Sequence, residues 1–179
     1  MVLARQLGAI LVLPGTVLVF VPCLIIYSTQ QVRLGWGLPD PWRWLVVGLG
    51  VACIGAGLWL MGQSIVLFAR RGQGTLAPWD PPRHLVVRGV YRYVRNPMIS
   101  GVLSVLLGET LVLGSTSLLT WFLVVAGVNF IYIPLLEEPQ LVEWFGAEYR
   151  LYRQHVPRWI PRLHPWVVPW TEDDLTGHS

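Results

Sequence analysis

Residues 72–97 read GQGTLAPWDPPRHLVVRGVYRYVRNP, and residues 98–138 continue MISGVLSVLLGETLVLGSTSLLTWFLVVAGVNFIYIPLLEE. The first stretch is Arg-rich and punctuated by Gly and Pro. The second is an apolar hairpin that ends in two adjacent acids, Glu137 and Glu138. A hairpin returns the chain to the face it left, so the cationic loop and the acidic pair meet at one membrane face. That is the layout of a charged pocket for a polar, zwitterionic molecule beside a lipid phase.

The composition agrees. The chain has 179 residues, of which 54% are hydrophobic and only 13% charged, and its mean hydropathy is +0.53. A soluble domain carries about 25% charged residues, so the class is membrane protein before any segment is read. All 13 basic residues are Arg. Arg offers a planar fork for carboxylate or phosphate and keeps its charge when buried. Cys23 and Cys53 fall in apolar segments and read as packing residues. No Cys/His cluster has metal-ligand spacing, so no metal is expected, and no feature points to nucleic acid.

Four apolar runs approach the length needed to cross about 30 Å of hydrocarbon. The first, Leu7 to Tyr27, contains Pro14 and Pro22, which membrane helices tolerate; it is too long for a signal-peptide core and no A-x-A site follows. The second, Trp44 to Phe68, carries Gly48, Ala52 and Ala56 at four-residue spacing, a small-residue face for close helix packing. The third, Met98 to Leu113, is short and is accommodated by continuing through Ser117 or by local bilayer thinning. The fourth runs from Leu118 to Leu136. Arg70, Arg71, Arg83, Arg88, Arg92 and Arg95 precede the third run, against one acid, Asp80. The positive-inside rule therefore puts this loop and the Arg-rich C-terminal segment in the cytoplasm. With four crossings the N-terminus is cytoplasmic as well.

Beyond the fourth run, Pro139 suits the start of a new helix. Leu141, Phe145, Tyr149 and Tyr152 recur at helical spacing, which describes an amphipathic helix on the inner membrane surface or over the bundle. In VPRWIPRLHPWVVPW, residues 156–170, Pro prevents a regular helix while Trp and Arg suit the interface. The expected fold is all-α and integral to the membrane: about four transmembrane helices plus a C-terminal amphipathic interfacial helix. It forms one membrane domain over 1–179, with a two-helix scaffold over 1–68 and a tail over 163–179. The Gly-rich second helix suits packing within or between subunits, and the residues fix no oligomeric state.

Several side chains in this frame can carry chemistry. Two acids at the inner end of a spanning helix oppose its dipole, although one is explained by the start of the next helix. Of the two, Glu138 is the stronger candidate, beside the break expected before Pro139. Gly89 permits a tight turn close to a ligand, and Tyr91 and His84 suit stacking on a heterocycle. The rival reading is an Arg-anchored interface turn, since Arg92 and Arg95 flank Tyr93. Asn96 and Pro97 read as the cap and first residue of a helix, at an end that also favours anions. Glu109 falls about 18 Å along the third helix from Pro97, where a carboxylate costs roughly 3 kcal/mol. An interhelical hydrogen bond, with Asn129 in reach, is the plain expectation for it. There is no G-x-G-x-x-G after a strand, no Walker A, no G-x-S-x-G and no H-E-x-x-H.

From Gly72 to Arg162 the chain resembles the isoprenylcysteine carboxyl methyltransferase and phospholipid methyltransferase superfamily. The resemblance rests on HLVVRGVYRYVRNP, the short hairpin, Glu137-Glu138 and FGAEYRLYRQHVPRWIPR. The family pattern is R-H-P-x-Y opening a helix, an apolar stretch, then E-E. The resemblance implies an integral membrane enzyme that uses S-adenosylmethionine, with the cofactor held on the cytosolic side by a half spanning about 69–162. It implies that Arg83, His84, Leu85, Val86 and Tyr91 line the cofactor site, with Gln73 at a cofactor-contacting Gln. Asn96, Pro97, Met98 and Ile99 stand at the R-H-P-x-Y position, and Glu137 and Glu138 at the acids. Glu138, Asn96 and Arg95 are the residues expected to act in catalysis. Glu138 would hold the cofactor's ammonium or ribose hydroxyls, and Arg95 or Arg83 its carboxylate. A lipid or other lipophilic acceptor would enter from the bilayer.

Two departures stand out. Asn96 replaces the family His and Ile99 the family Tyr; Asn can hydrogen-bond but cannot act as acid or base. Phe130-Ile131-Tyr132-Ile133-Pro134 also lacks the Arg that prenylcysteine enzymes place before the acids. The alternative function is therefore a non-catalytic four-helix scaffold or binding protein that retains the fold.

Overall fold

The computed structural model describes residues 14–71, 85 and 87–169. Among the described residues the protein is all helix and turn. A π-helical turn, Thr16–Phe20, leads into α1 (Val21–Thr29). α2 (Trp42–Arg71) is the longest helix, and α3 (Pro97–Leu113) is apolar but shorter than a full span. α4 (Thr116–Tyr132) runs through a second π-helical turn, Ile133–Glu137, into α5 (Glu138–His155). Single 3-10 turns lie at Leu34–Gly37 and Gly89–Arg92.

Three helical stretches, Thr16–Gly37, Trp42–Leu67 and Thr116–His155, are long and apolar enough to cross a bilayer. α3 has 17 residues and rises only about 25 Å, as its short apolar run foreshadows. The surface is that of an integral membrane protein. Large apolar side chains such as Leu49, Leu58 and Trp59 on α2, and Val124, Val128 and Ile131 on α4, are exposed, where hydrocarbon rather than water suits them.

α2 and α3 form the central antiparallel pair, and glycine sets their distance. A Cβ on Gly57 would stand 2.5 Å from the Gly101 carbonyl oxygen, and one on Gly101 2.7 Å from that of Gly57. Gly50 and Gly108 repeat the relationship, at 2.9 and 2.5 Å. Between these two contacts Ser104 Oγ donates to the Cys53 carbonyl at 2.8 Å. Backbones this close gain van der Waals contact and polar bonds that lipid cannot replace. The face marked by Gly48, Ala52 and Ala56 is exposed instead. Four-residue spacing identifies a smooth face; the backbone of α3 selects the one through Gly50 and Gly57.

α1 is held to α4 by Trp121, whose Nε1 donates to the Val17 carbonyl at 3.1 Å. Leu18, Met61, Val102, Val105, Leu106 and Val125 fill the space between the four helices. At one end of the bundle, Gly114 turns α3 into α4 with φ 55°, and any side chain there would collide with the backbone of Arg33 and Trp36. Ser115 caps α4 by accepting from the Leu118 N–H. The opposite end gathers the C-terminus of α2, the turn at Gly89–Arg92, the start of α3 and the α4–α5 junction.

That junction differs from the sequence expectation. The chain does not break before Pro139. Proline lacks an N–H and its ring crowds the carbonyl four residues back. The wider π-helical turn at Ile133–Glu137, itself containing Pro134, precedes Pro139, as the one at Thr16–Phe20 precedes Pro22. Helical backbone continues through Glu137 and Glu138, and the bend comes at Gly146 (φ 54°, ψ −123°), a conformation that favours glycine. Beyond the bend, α5 lays Tyr149 and Tyr152 on Val87, Val156 and Trp166, with Leu85, Leu141 and Phe145 packed around them. The amphipathic stripe is thus buried against the segment around Val87 and the residues that follow α5, and not against the spanning helices.

Candidate functional site

The site forms where the α4–α5 junction meets the start of α3 and a strap formed by residues 156–168. Val156 is buried at the root of the strap. From there the strap follows the segment 92–95 through backbone bonds: Arg95 N–H to Pro157 O (2.9 Å), Arg162 N–H to Tyr93 O (3.0 Å) and Trp166 N–H to Arg92 O (3.0 Å). Arg92 Nε also donates to Trp166 O at 2.6 Å. Ser100 Oγ donates to Trp159 O at 3.0 Å, and the Trp159 ring meets Phe130 edge-on with centroids 4.7 Å apart. The prolines of this segment keep its carbonyls out of a helix and free to accept these bonds.

At the centre is Glu138, 3% exposed. Arg158 grips it with two bonds, Nε to Oε1 at 2.6 Å and Nη2 to Oε2 at 2.8 Å. Arg95 adds one, Nη1 to Oε1 at 2.7 Å. Charge-assisted bonds of this length are strong, and the pairing raises the pKa of Arg158. Arg95 is nearly buried, and its Nε has no hydrogen-bond partner among the described residues. Buried donors are seldom left unmatched. Tyr149 is hydrogen-bonded to Arg95 and lies beside Glu138 and Glu137.

Glu137 is half-buried and has no salt-bridge partner among the described residues. The Tyr91 hydroxyl is near it and is hydrogen-bonded to Ser64, a fully buried residue whose own hydroxyl donates to Leu60 O at 2.9 Å. Desolvation raises the Tyr91 pKa, the Ser64 bond opposes this, and Glu137 adds to it. The phenol is thus a neutral group at ordinary pH. Its backbone is pinned by Tyr152, whose hydroxyl donates to the Tyr91 carbonyl at 2.7 Å.

The remaining expected residues distribute as follows. Asn96 precedes α3 and Pro97 is its first residue, but the Asn96 side chain makes no capping bond; the expected side-chain cap is absent, and its carbonyl accepts the Ser100 N–H instead. Met98 packs against the core between α1, α2 and α3. Ile99 is half-buried, and Leu85 lies against the Tyr149 cluster. Gln73, Arg83, His84 and Val86 lie outside the described residues. Glu109 does not meet Asn129. Asn129 Nδ2 turns back to Val125 O on its own helix at 2.8 Å, and Glu109 Oε2 is buried without a hydrogen-bond partner among the described residues. A side-chain amide one turn from its own helical carbonyls satisfies itself locally.

Arg158, Tyr149 and Ser64 were not singled out by sequence reasoning. Arg158 had a faint signal: it sits between Pro157 and Pro161, just past the helix that carries an acid in need of a counter-ion. Ser64 had none, being one hydroxyl in an apolar helix.

The site contains two acids, Glu137 and Glu138, and two guanidiniums. Both Glu138 oxygens are occupied by arginine. The directions left open belong to Glu137, an anion, and Arg95, a cation. That donor set fits a zwitterion such as the amino-acid moiety of S-adenosylmethionine.

Comparison with known proteins identifies the family. Residues 45–148 match the family model for phospholipid methyltransferases. The chain is also 32% identical over 116 residues to the protein-S-isoprenylcysteine O-methyltransferase of Schizosaccharomyces pombe, an overlap covering 64% of this chain and 48% of that relative. The chain thus spans about half the length of the curated relative it matches. No solved structure gives a significant match. The matched region holds α3, α4 and both acids, and on that match the chain belongs to the phospholipid methyltransferase family.

Proposed function

We propose that this chain transfers a methyl group from S-adenosylmethionine to a lipophilic acceptor at the membrane face that carries the Arg-rich loop. The observation that carries the reading is the pairing of a half-buried carboxylate, Glu137, with a guanidinium, Arg95, in a chain of this family; among the described residues the first has no counter-cation and the second keeps a buried Nε without a partner. When bound, the cofactor supplies a methyl group already activated on a sulfonium. The protein's task is therefore alignment and exclusion of water, which supply a large share of rate in such sites.

Glu137 takes the ammonium of the amino-acid moiety and Arg95 its carboxylate. Glu138 holds Arg95 in place. Tyr91, kept neutral chiefly by desolvation and held in place by Ser64 and Tyr152, forms part of the wall. Asn96 and Ile99 stand at the start of α3, and Leu85 packs against the cluster that holds Tyr149. The family resemblance adds Gln73, Arg83, His84 and Val86, which lie outside the described residues, as further cofactor contacts in this reading. The acceptor's apolar part lies along Ile131, Leu135 and Leu136, which are exposed on the turns leading to Glu137. The relative named above acts on isoprenylcysteine; here no Arg lies between Phe130 and Pro134, so a carboxylate acceptor lacks that counter-ion and a phospholipid amine is the better match. The cytosol is the side assigned by the charge of the loops.

The test is transfer of a labelled methyl group from S-adenosylmethionine into bacterial membrane lipids by the purified, lipid-reconstituted protein. Label in an extractable lipid that disappears with Glu137→Gln supports the reading. A well-folded protein that labels neither lipids nor prenylcysteine would favour the non-catalytic scaffold.

A further inference from the structure

Arg158 lies outside the family-matched region, 45–148, yet it makes two of the three bonds to the buried acid of the site. We propose that Arg158 is a positioning residue: by occupying Glu138 from the strap, it keeps Arg95 from closing on that acid and leaves Arg95 charged and open for a ligand carboxylate. The inference rests on the cofactor reading above and extends it to a residue that touches neither cofactor nor acceptor.

The geometry gives the reason. An arginine and a carboxylate left alone form a two-pronged, charge-neutral pair. Here that position on Glu138 is taken by Arg158, through Nε and Nη2. Arg95 is left with one bond to Glu138, through Nη1, beside a hydrogen bond with Tyr149, and its buried Nε has no partner among the described residues. Two guanidiniums share the one carboxylate of Glu138, so that acid alone neutralises neither of them, and Glu137 carries the balancing charge of the site. In a desolvated site a guanidinium whose charge is only partly offset by its own partner acts strongly on a nearby anion. The strap is fastened so that Arg158 cannot drift: Pro157 O accepts from Arg95 N–H and Trp159 O from Ser100 Oγ, one bond on each side of it. The side chain is 29% exposed, so solvent and small solutes reach it.

The experiment compares binding of S-adenosylmethionine and of its decarboxylated form to the detergent-purified full chain. Wild type is expected to prefer the carboxylate-bearing molecule. In Arg158→Ala, Glu138 is free to pair fully with Arg95, so affinity for S-adenosylmethionine falls about tenfold or more while that for the decarboxylated form changes little. Added methylguanidinium restores the preference. Arg158→Lys, which keeps the charge but has a single point of contact, retains the fold and gives an intermediate preference. A merely structural role would weaken both ligands alike and would not respond to methylguanidinium; that result, or an unchanged preference in both variants, overturns the inference. Wild type that binds neither molecule overturns the cofactor reading and this inference together.

Discussion

Arg158 and Glu138, 20 residues apart in sequence, are joined by two parallel bonds of 2.6 and 2.8 Å, on an acid that is 3% exposed. A buried acid of this kind holds its neighbours only while charged. Glu138→Gln leaves two guanidiniums facing an amide, and loss of one partner in a buried ion cluster costs about 3–5 kcal/mol. Thermal unfolding in detergent should show a clear loss of stability for Glu138→Gln. Glu137→Gln, which breaks no salt bridge among the described residues, should stay within about 1 kcal/mol of wild type. Equal stability of the two variants would contradict the triad.

The central helix pair makes a separate prediction. Gly57→Ala drives a methyl group into the Gly101 carbonyl and Val105, because the added atom would stand 2.5 Å from that oxygen. Helices must move apart, at a cost of about 1–3 kcal/mol or more. Gly55→Ala, where an added Cβ meets nothing within 4 Å, should change stability by no more than about 0.5 kcal/mol. Thermal unfolding of the two variants in one detergent checks the difference. Tolerance of both substitutions would rule out the close contact.

Tyr91 predicts an alkaline effect. Its phenol is raised above the ordinary value of 10.0, chiefly by desolvation. A group with a raised folded pKa contributes stability that is whole below the unfolded value and declines as pH rises toward the folded one. From about pH 10 upward the unfolded chain loses this proton first, so stability should fall with pH. Tyr91→Phe should flatten that part of the profile, measured as unfolding temperature against pH. The same slope in wild type and variant would show the hydroxyl to be solvated.

How much of this was legible in the sequence depends on the range of the interaction. The helices were readable because each apolar run is local, and so was the meeting of the Arg-rich loop with the acids, since a hairpin must return. Leu141, Phe145, Tyr149 and Tyr152 gave the right buried stripe of α5 by their spacing alone. The bend was misplaced because Pro139 carries the stronger local signal. A π-helical turn absorbs the proline, while Gly146, unremarkable in sequence, takes the left-handed conformation. Gly48, Ala52 and Ala56 stay exposed within this chain, because periodicity shows that a face is smooth, not which neighbour it meets. Arg158 was hidden for the same reason: its partner is set by a strap whose path depends on carbonyl bonds to Arg95, Tyr93 and Ser100. Asn96 was a sound cap by type, yet its backbone (φ −120°, ψ 62°) leaves the side chain unused for capping.

The central claim is a cofactor site built on Glu137 and Arg95. It is tested most directly by calorimetric titration of S-adenosylmethionine into the detergent-purified protein, beside Glu137→Gln. Saturable binding at one site per chain is predicted, weakened about tenfold or more in the variant with its unfolding temperature close to wild type. No binding to folded wild-type protein, or binding that Glu137→Gln leaves unchanged, would contradict the account.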